Sequence, residues 1–292
     1  MEIRLLNYFY TIAKVGSISQ AAKELHITQP TLSRQLKDLE VELGTELFTR
    51  EKNKLELTDA GRFLKSRAQE ILTITKQTQE EFETRKSELF GGHLAIGCVE
   101  ADNSDTLAMI LEELLQDYPH VTFHIHSGTS VEIAEQLDKG LLDVAILLEP
   151  VDTEKYETIT LPRAERWGLF TSKKSAVAMK EMIEPDDLKK IPLMFSSRKG
   201  VQDLILTWGD FTLEDLNVIG TYNLIPNIYN LVENNVGSMV TIEGVITSRK
   251  LENTVFIPLY PKVHTNCVFV WKKHRALSMV VKELIQRFKH AF

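Results

Sequence analysis

The sequence predicts a mixed architecture, α+β in the first part of the chain and α/β in the remainder. Three observations predict it. Near the N-terminus, apolar residues recur at helical spacing in short runs separated by brief breaks. The stretch between Thr58 and Phe90 is helix-compatible throughout, and beyond it short apolar runs alternate with helical segments. Such alternation is typical of parallel strands covered by helices.

The composition is that of a globular protein. With 292 residues, of which 43% are hydrophobic, the chain can form two domains or more. No run approaches the ~20 apolar residues of a membrane helix, and the opening segment lacks the features of a signal peptide. We therefore expect a cytoplasmic protein with no membrane partner. Cys98 and Cys267 are too few for a disulfide framework.

The formal net charge of −7 argues at first against a nucleic-acid partner, but the charge is unevenly distributed. Residues 1–67 hold 11 Lys and Arg against 9 Asp and Glu, whereas residues 91–292 hold 20 against 27. The acidity therefore belongs to the C-terminal part. The N-terminal part remains compatible with binding to phosphates.

The N-terminal part begins with two short helices. The first is predicted from apolar residues between Leu5 and Ala13 and ends at Gly16, after which Ser17 or Ser19 can cap the next helix. The second helix covers residues 20–25 and presents Ala21, Ala22 and Leu25 to its neighbours.

The break at His26-Ile27-Thr28 has the length of a helix-turn-helix connection. We expect Ile27 to be buried in the turn and Thr28 to cap the third helix. Such turns often contain Gly, and since His enters the left-handed region more readily than most residues, His26 is the candidate for that conformation. Pro30 lies in the first turn of the next helix, where its missing N–H costs nothing.

The third helix buries one stripe and exposes a polar face. Leu32, Leu36 and Leu39 form the buried stripe. Among the residue types on the polar face, Arg and Gln can make bidentate contacts to the edges of DNA bases, while Ser and Lys suit the oxygens of DNA phosphates. The alternative is an ordinary solvated face. The residues on or beside the polar face are Gln29, Pro30, Thr31, Ser33, Arg34, Lys37 and Asp38.

A short β-hairpin, or wing, is predicted next to this helix. The segment LFTREKNKLEL, residues 47–57, has a turn at Asn53 and alternating leucines at 55 and 57. Its basic side chains, Arg50, Lys52 and Lys54, would contact phosphates or the minor groove. The alternative is that they protect the edge of the hairpin from aggregation.

The long helix is expected to begin after Thr58 and to stop at Gly91-Gly92. Its length favours a packed partner helix and therefore self-association. The alternative is a helix that lies on its own C-terminal domain. A seam of alternating four- and three-residue steps comprises Leu64, Ala68, Ile71, Thr75, Thr78 and Phe82.

Residues 6–61 resemble the DNA-binding domain of the LysR-type transcriptional regulators. The matching pieces include AA at 21–22, QPTLSRQLKDLE at 29–40, LG at 43–44, LFTR at 47–50 and LTDAG at 57–61. The resemblance implies a winged helix-turn-helix over residues 1–60 that binds double-stranded promoter DNA. It also implies a dimerisation helix over 58–90, a homodimer that pairs into a homotetramer, and RNA polymerase as a further candidate partner. The expected DNA-contacting residues are Ser19, Gln20, Thr28, Gln29, Pro30, Thr31, Ser33, Arg34, Lys37, Arg50, Lys52 and Lys54.

Residues 91–292 are predicted to form a two-lobed α/β domain. Strand-like runs such as HLAIGCV, VTFHIHS and DVAILL alternate with helical ones. Lobe one is expected to comprise 91–162 and 264–292, and lobe two 163–263. By the family resemblance, this domain is similar to periplasmic solute-binding proteins and holds a small-molecule effector between its lobes. No cofactor is expected.

Ligands of open α/β sheets lie at the carboxyl ends of strands, beside helix N-termini. Three of the candidate effector residues that this rule selects are Ser104, Thr129 and Ser130, and the alternative for each is that it only caps its helix. Glu100 and Asp102 would repel a carboxylate ligand, so the charge of the effector stays open. The rule selects Glu100, Ser104, Thr129, Ser130, Ser196, Ser197, Arg198, Thr241 and Glu243.

The other candidate sites are weaker. His124 and His126 share one side of a strand, but no third metal ligand is identifiable, so no metal site is expected. The two cysteines are expected to be inert buried thiols, with a redox role as the alternative. We find no phosphate loop, dinucleotide fingerprint or nucleophile motif, so no catalytic residues are expected. An architectural DNA binder without ligand control is the remaining alternative to a ligand-controlled regulator.

Overall fold

The computed structural model describes residues 2–51, 54–86, 91–246 and 252–292, with the side chains of 50, 51, 54 and 80–86 outside the description. The chain forms two compact units, Met1–Lys86 and Ser87–Phe292.

The described residues of the first unit form four helices and one β-hairpin. Its elements are α1 (Ile3–Val15), α2 (Ile18–Glu24), α3 (Gln29–Leu43), β1 (Phe48–Glu51), β2 (Lys54–Leu57) and α4 (Asp59–Lys86). The predicted helix starts are confirmed, because Ser17 caps α2 and Thr28 caps α3 through their side chains. The Thr58 hydroxyl accepts a hydrogen bond from the backbone N–H of Gly61 at 2.9 Å and so caps α4.

One hydrophobic core holds this unit together. It contains the predicted stripe of α3 and also the first turns of α4. Burial of these side chains, rather than intrinsic helix propensity, stabilises helices as short as α2. The buried apolar residues are Leu6, Phe9, Ile12, Ala21, Ala22, Leu32, Leu36, Leu39, Leu47, Phe48, Leu64 and Ala68.

The second unit alternates strands and helices in its first half, as the sequence predicts. Its first elements are β3 (Gly92–Cys98), α5 (Ser104–Asp117), β4 (Val121–Ser127), α6 (Ser130–Asp138), β5 (Val144–Leu148) and β6 (Tyr156–Ser172). They are followed by α7 (Pro185–Leu188), β7 (Leu193–Ser196), α8 (Lys199–Gly209), β8 (Val218–Tyr222), α9 (Tyr229–Glu233), β9 (Ser238–Ile242), β10 (Thr254–Pro258), β11 (His264–Lys272) and α10 (Met279–Ala291).

Eight of these strands join in the order β4-β3-β5-β11-β6-β9-β7-β8, and a ninth, β10, pairs with β6. Parallel pairs lie on both sides, β3 with β4 and β5, and β7 with β8 and β9. The antiparallel strands β6 and β11 lie between them. The result is two parallel α/β lobes joined through a pair of antiparallel strands, and the predicted fold class is confirmed.

The strand β6 connects the two lobes without interruption. As far as Arg166 it pairs with β11, and from Trp167 onward it pairs with β9 and β10. The change of partners lies a few residues beyond Pro162, where the sequence predicts the junction. Among the described residues, no helix is both long and apolar enough to cross a membrane.

Candidate nucleic-acid interface and effector cleft

The turn between α2 and α3 has the expected helix-turn-helix geometry. His26 adopts a left-handed conformation with φ 54°, which confirms the prediction for this residue. The N–H of Ile27 donates to the carbonyl oxygen of Ala22 at 3.0 Å, and its half-buried side chain packs against the core. These contacts fix the direction in which α3 leaves the turn.

The outer face of α3 is polar and accessible. Thr28 has an exposed side chain whose hydroxyl accepts from the N–H of Thr31 at 3.4 Å and lies 2.8 Å from the Thr31 hydroxyl. Ser33 is half-buried, and on α2 the two candidates Ser19 and Gln20 are exposed. The remaining predicted contact residues of α3 are all exposed, namely Gln29, Pro30, Thr31, Arg34 and Lys37.

The two strands of the predicted wing are present. Strands β1 and β2 pair antiparallel, with Arg50 opposite Leu55 and Glu51 opposite Lys54. The turn at Lys52 and Asn53 lies outside the described residues, as do the side chains of Arg50 and Lys54. The backbone of the two strands therefore forms the predicted hairpin, and the DNA contacts of the three basic side chains stay predictions.

The seam predicted along α4 is divided between two roles. Leu64 and Ala68 are buried in the core of the first unit, so they are not available to a partner helix. The next seam residue, Ile71, is exposed, and so is Ile74, which the seam prediction omits. The error arises because heptad spacing does not distinguish a partner helix from the chain's own domain. Thr75 is half-buried, Thr78 is exposed, and the Phe82 side chain lies outside the described residues.

In the second unit, a cleft of about 70 Å³ collects residues from both lobes. Six of the nine predicted effector residues line it. Its walls also include apolar side chains, among them Val99, Leu148, Trp167, Val240 and Ile242. The six predicted residues are Glu100, Thr129, Ser130, Ser196, Arg198 and Thr241.

The hydroxyls at the start of α6 are already engaged. Thr129 forms a capping box with Glu132, donating to its carboxylate at 2.9 Å and accepting from its N–H at 3.3 Å. The backbone N–H of Thr129 also donates to the Glu132 carboxylate at 2.9 Å, and this bond, together with the one from the Thr129 hydroxyl, holds the pKa of Glu132 below its usual value. Ser130 is fully buried, and its hydroxyl bonds both the N–H and the carbonyl oxygen of Leu148, each at 3.0 Å. Both residues therefore have a structural role in addition to lining the cleft.

The lobe-two side of the cleft carries Ser196, Arg198 and Thr241. The Ser196 hydroxyl accepts from the N–H of Arg198 at 3.2 Å, which places the arginine at the N-cap of α8. Thr241 is buried within β9.

Three predicted effector residues lie elsewhere. Ser197 is exposed and does not line the cleft. Its N–H donates to the carbonyl oxygen of Tyr222 at 2.7 Å. Glu243 accepts two hydrogen bonds from Arg166, at 2.8 and 2.6 Å, in a bidentate ion pair. Ser104 is the first residue of α5 and lines a separate cavity of about 570 Å³, which Glu100 also borders.

A buried carboxylate lies at the junction of the lobes. Glu165 on β6 is 2% exposed and accepts from the N–H of Asp102 at 3.0 Å and from Nδ2 of Asn103 at 3.3 Å. Burial, and then the nearby charge of Asp102, raise the pKa of Glu165. Gly244 has no side chain here, and a Cβ would lie 2.7 Å from the Glu165 carboxylate.

Sequence reasoning missed the aromatic and amide side chains of the cleft, including Trp167, Tyr222 and Asn223. The Tyr222 hydroxyl donates to the carbonyl oxygen of Val240 at 3.0 Å. Trp167 marks the point where β6 changes partners, which cannot be read from a strand-like run alone. A useful signal was available for these two residues, because Tyr222 ends the strand-like run NVIGTY and Asn223 directly follows it.

The histidines of β4 and the two cysteines are the other candidate sites. His124 is exposed and His126 half-buried on β4, and among the described residues no group of three or more side chains can hold a metal ion. Both cysteines are buried and free. Burial raises the pKa of Cys98 to about 11 and also raises the pKa of Cys267, so at neutral pH both remain thiols of low reactivity.

Two known protein families match this chain. Residues 3–62 match the family described as "Bacterial regulatory helix-turn-helix protein, lysR family". Residues 87–292, which are most of the chain, match the "LysR substrate binding domain". The chain belongs to the LysR family of transcriptional regulators.

Individual relatives agree with this assignment. The regulator is 30% identical over 243 residues to a "Probable RuBisCO transcriptional regulator" of Synechocystis, covering 81% of this chain and 69% of that protein. It is 41% identical over 150 residues, half of each chain, to the HTH-type transcriptional regulator BsdA of Bacillus subtilis. Both relatives are named as transcriptional regulators, which confirms the prediction of a regulator rather than an enzyme.

Solved structures show the same fold at low identity. Full-length CbnR in complex with its target DNA has a TM-score of 0.77 and 20% identity, with 100% of both chains covered. Full-length BenM has a TM-score of 0.54 and 22% identity, with 100% of this chain and 96% of that chain covered.

Proposed function

We propose that this LysR-family regulator binds its promoter through base contacts from α3 and that a small-molecule effector in the lobe cleft modulates this binding. The observation that carries the proposal is the polar outer face of α3, positioned by the left-handed His26 and the Thr28 cap. A helix held in this way matches the element that helix-turn-helix proteins place in the major groove.

Each residue type on that face has a chemical role. Arg34 and Gln29 suit bidentate contacts to guanine and adenine, while Pro30 and Thr31 suit the methyl group of thymine. Ser33 and Lys37 suit phosphate oxygens. Further contacts to the DNA backbone would come from Ser19, Gln20 and the wing residues. Thr28 would contribute mainly through its cap, since its hydroxyl is engaged with Thr31.

The effector half of the proposal is supported by the cleft. Both lobes contribute residues to it, so a bound molecule would stabilise one relative placement of the lobes. A ligand shifts a conformational equilibrium by its differential affinity for the two states. An effector at this position can therefore alter how the protein holds and bends its promoter.

We also infer that the protein works in the cytoplasm as a homodimer that pairs into a homotetramer, with RNA polymerase as a further partner. The exposed Ile71 and Ile74 on α4 support self-association, because large apolar side chains on a long helix favour contact with a second helix. A dimer would present two copies of α3 to a pseudo-palindromic site.

The experiment is a fluorescence-anisotropy titration of the full chain on its own promoter duplex and on an unrelated duplex of equal length. Arg34→Ala is expected to cost about 1–3 kcal/mol on the promoter and much less on the unrelated duplex. The control is Arg67→Ala, which removes the same charge from α4, where Arg67 pairs with Glu70. Equal losses on both duplexes for Arg34→Ala would remove this residue from base recognition.

A further inference from the structure

The effector cleft contains an arginine that lacks an anionic partner. Nη2 of Arg198 donates to the carbonyl oxygens of Leu148 at 2.9 Å and Pro150 at 3.2 Å. Nε of the same side chain is buried and has no hydrogen-bond partner among the described residues. No carboxylate of the described residues forms an ion pair with Arg198, whose pKa burial lowers.

Arg198 is half-buried, and the buried part of its guanidinium group lacks a full set of hydrogen-bond partners. Burying a charge is unfavourable when neither an opposite charge nor a full set of hydrogen bonds compensates for it. The guanidinium group presents its donors in a planar fork that matches a carboxylate. An arginine that borders a cavity in this state is therefore suited to bind an anion that enters the cavity.

The surroundings of Arg198 favour the same ligand charge. The cleft is bordered by the N-termini of α6 and α8, whose first N–H groups favour an anion. Glu100, which also lines the cleft, disfavours any negative charge on the ligand, so it opposes most strongly a second charge that Arg198 does not compensate. A monoanion satisfies both conditions better than a dianion does.

The rest of the cleft defines the body of the ligand. Besides polar side chains such as Ser196, Asn223 and Thr241, its walls are aliphatic and aromatic, with Val99, Trp167, Val201, Leu224 and Val240 among the lining residues. The volume of about 70 Å³ corresponds to roughly five water-sized spheres at about 10–15 Å³ each. The ligand that fits has a short apolar body attached to its charged group.

We propose that the effector of this cleft is a small aliphatic monocarboxylate, with its carboxylate bound by Arg198 and its chain against the apolar wall. This inference rests on the proposed function, namely that the cleft binds an effector. It adds the charge and size of that effector, which the sequence left open.

The test is isothermal titration calorimetry of the full-length protein with butyrate, butyramide, butylamine and succinate at equal ionic strength. These probes share a four-carbon chain and differ in charge. We expect butyrate to bind at least tenfold more tightly than each of the other three. Equal or tighter binding of the amide, the amine or the dicarboxylate overturns the proposal. So does a lack of butyrate binding at 10 millimolar, because a dissociation constant above that concentration means a binding free energy weaker than about 2.7 kcal/mol.

A variant pair locates the binding group. Arg198→Gln is expected to remove the preference for butyrate over butyramide, whereas Arg198→Lys keeps the charge and a weakened preference. Lys199→Gln is the matched control, because Lys199 is exposed and pairs with Asp203 at 3.1 Å. An unchanged preference in Arg198→Gln overturns the assignment of the site. The wild-type ligand series remains decisive if a variant fails to fold.

The two proposals fail separately. If promoter footprints respond to an amine or a neutral metabolite and not to monocarboxylates, the inference about the effector is wrong and the proposed function stands. If footprints show no preference for the promoter, while butyrate binds in the cleft, the proposed function fails and the ligand assignment stands.

Discussion

Gly61 provides a stringent test of how α4 packs against the wing. A Cβ at this position would lie 2.1 Å from the carbonyl oxygen of Leu47 and 2.9 Å from Cδ2 of Leu57. The Leu47 oxygen is main chain and accepts from the N–H of Thr58 at 3.0 Å, so it cannot move like the end of a flexible side chain. Gly61→Ala therefore forces α4 and the wing apart.

The expected size follows from two opposing effects. Overpacking of a tight contact costs up to about 3 kcal/mol, and Ala improves helix propensity over Gly by about 1 kcal/mol. The first effect exceeds the second, so we expect a net loss of about 2 kcal/mol in the stability of the first unit. The same displacement should weaken DNA binding, because the wing would no longer be held beside α3.

Hydrogen exchange of backbone amides in α3 and the N-terminal half of α4 is the appropriate assay, because it reports the free energy of opening region by region. Tryptophan fluorescence would miss the effect, since all three tryptophans, Trp167, Trp208 and Trp271, lie in the second unit. Gly220→Ala is the control, because a Cβ there meets nothing within 4 Å. Unchanged protection and unchanged DNA affinity in Gly61→Ala would refute the packing at this junction.

Three further predictions concern the cap, the buried carboxylate and self-association. Thr28→Ala should destabilise the first unit by about 0.5–1 kcal/mol, the low end of the range for loss of a helix cap, because the capping bond is long at 3.4 Å. Hydrogen exchange should show this loss. An equal loss in Thr28→Ser, which keeps the hydroxyl, would exclude the cap as its cause. Burial raises the pKa of Glu165 above its usual 4.5, so the ionised form costs stability above the folded-state pKa and the cost disappears as the pH falls toward 4.5. Glu165→Gln removes this cost. The free energy of unfolding of the variant minus that of wild type, measured by denaturation curves, should therefore be highest at pH 8 and decline toward pH 4.5. If the difference between the two proteins does not change with pH, the assignment is contradicted. Ile74→Glu should lower the oligomer mass measured by light scattering, and an unchanged mass would show that this face of α4 is not in the interface.

Local features of the fold were predictable from the sequence because they depend on neighbouring residues. The Thr28 cap and the left-handed His26 follow from residue chemistry within one turn. The buried stripe of α3 follows from the helical period. The alternation of strands and helices in the second unit likewise predicts two α/β lobes.

Features that depend on distant contacts were predicted less well. Leu64 and Ala68 have the spacing of an intermolecular seam, but they complete the core of the chain's own first unit. Glu243 follows a strand as a ligand residue would, yet Arg166, far away in sequence, binds its carboxylate. Ser104 lies at the start of α5 and borders a different cavity. A linear pattern does not show which partner a side chain meets.

The most direct test of the account is the ratio of two dissociation constants, measured for wild-type protein at moderate ionic strength. One duplex carries the protein's own promoter, and the other has the same length and base composition in scrambled order. Base recognition by α3 predicts tighter binding to the promoter by about a thousandfold or more. Equal affinity for the two duplexes, with and without monocarboxylates present, would contradict it.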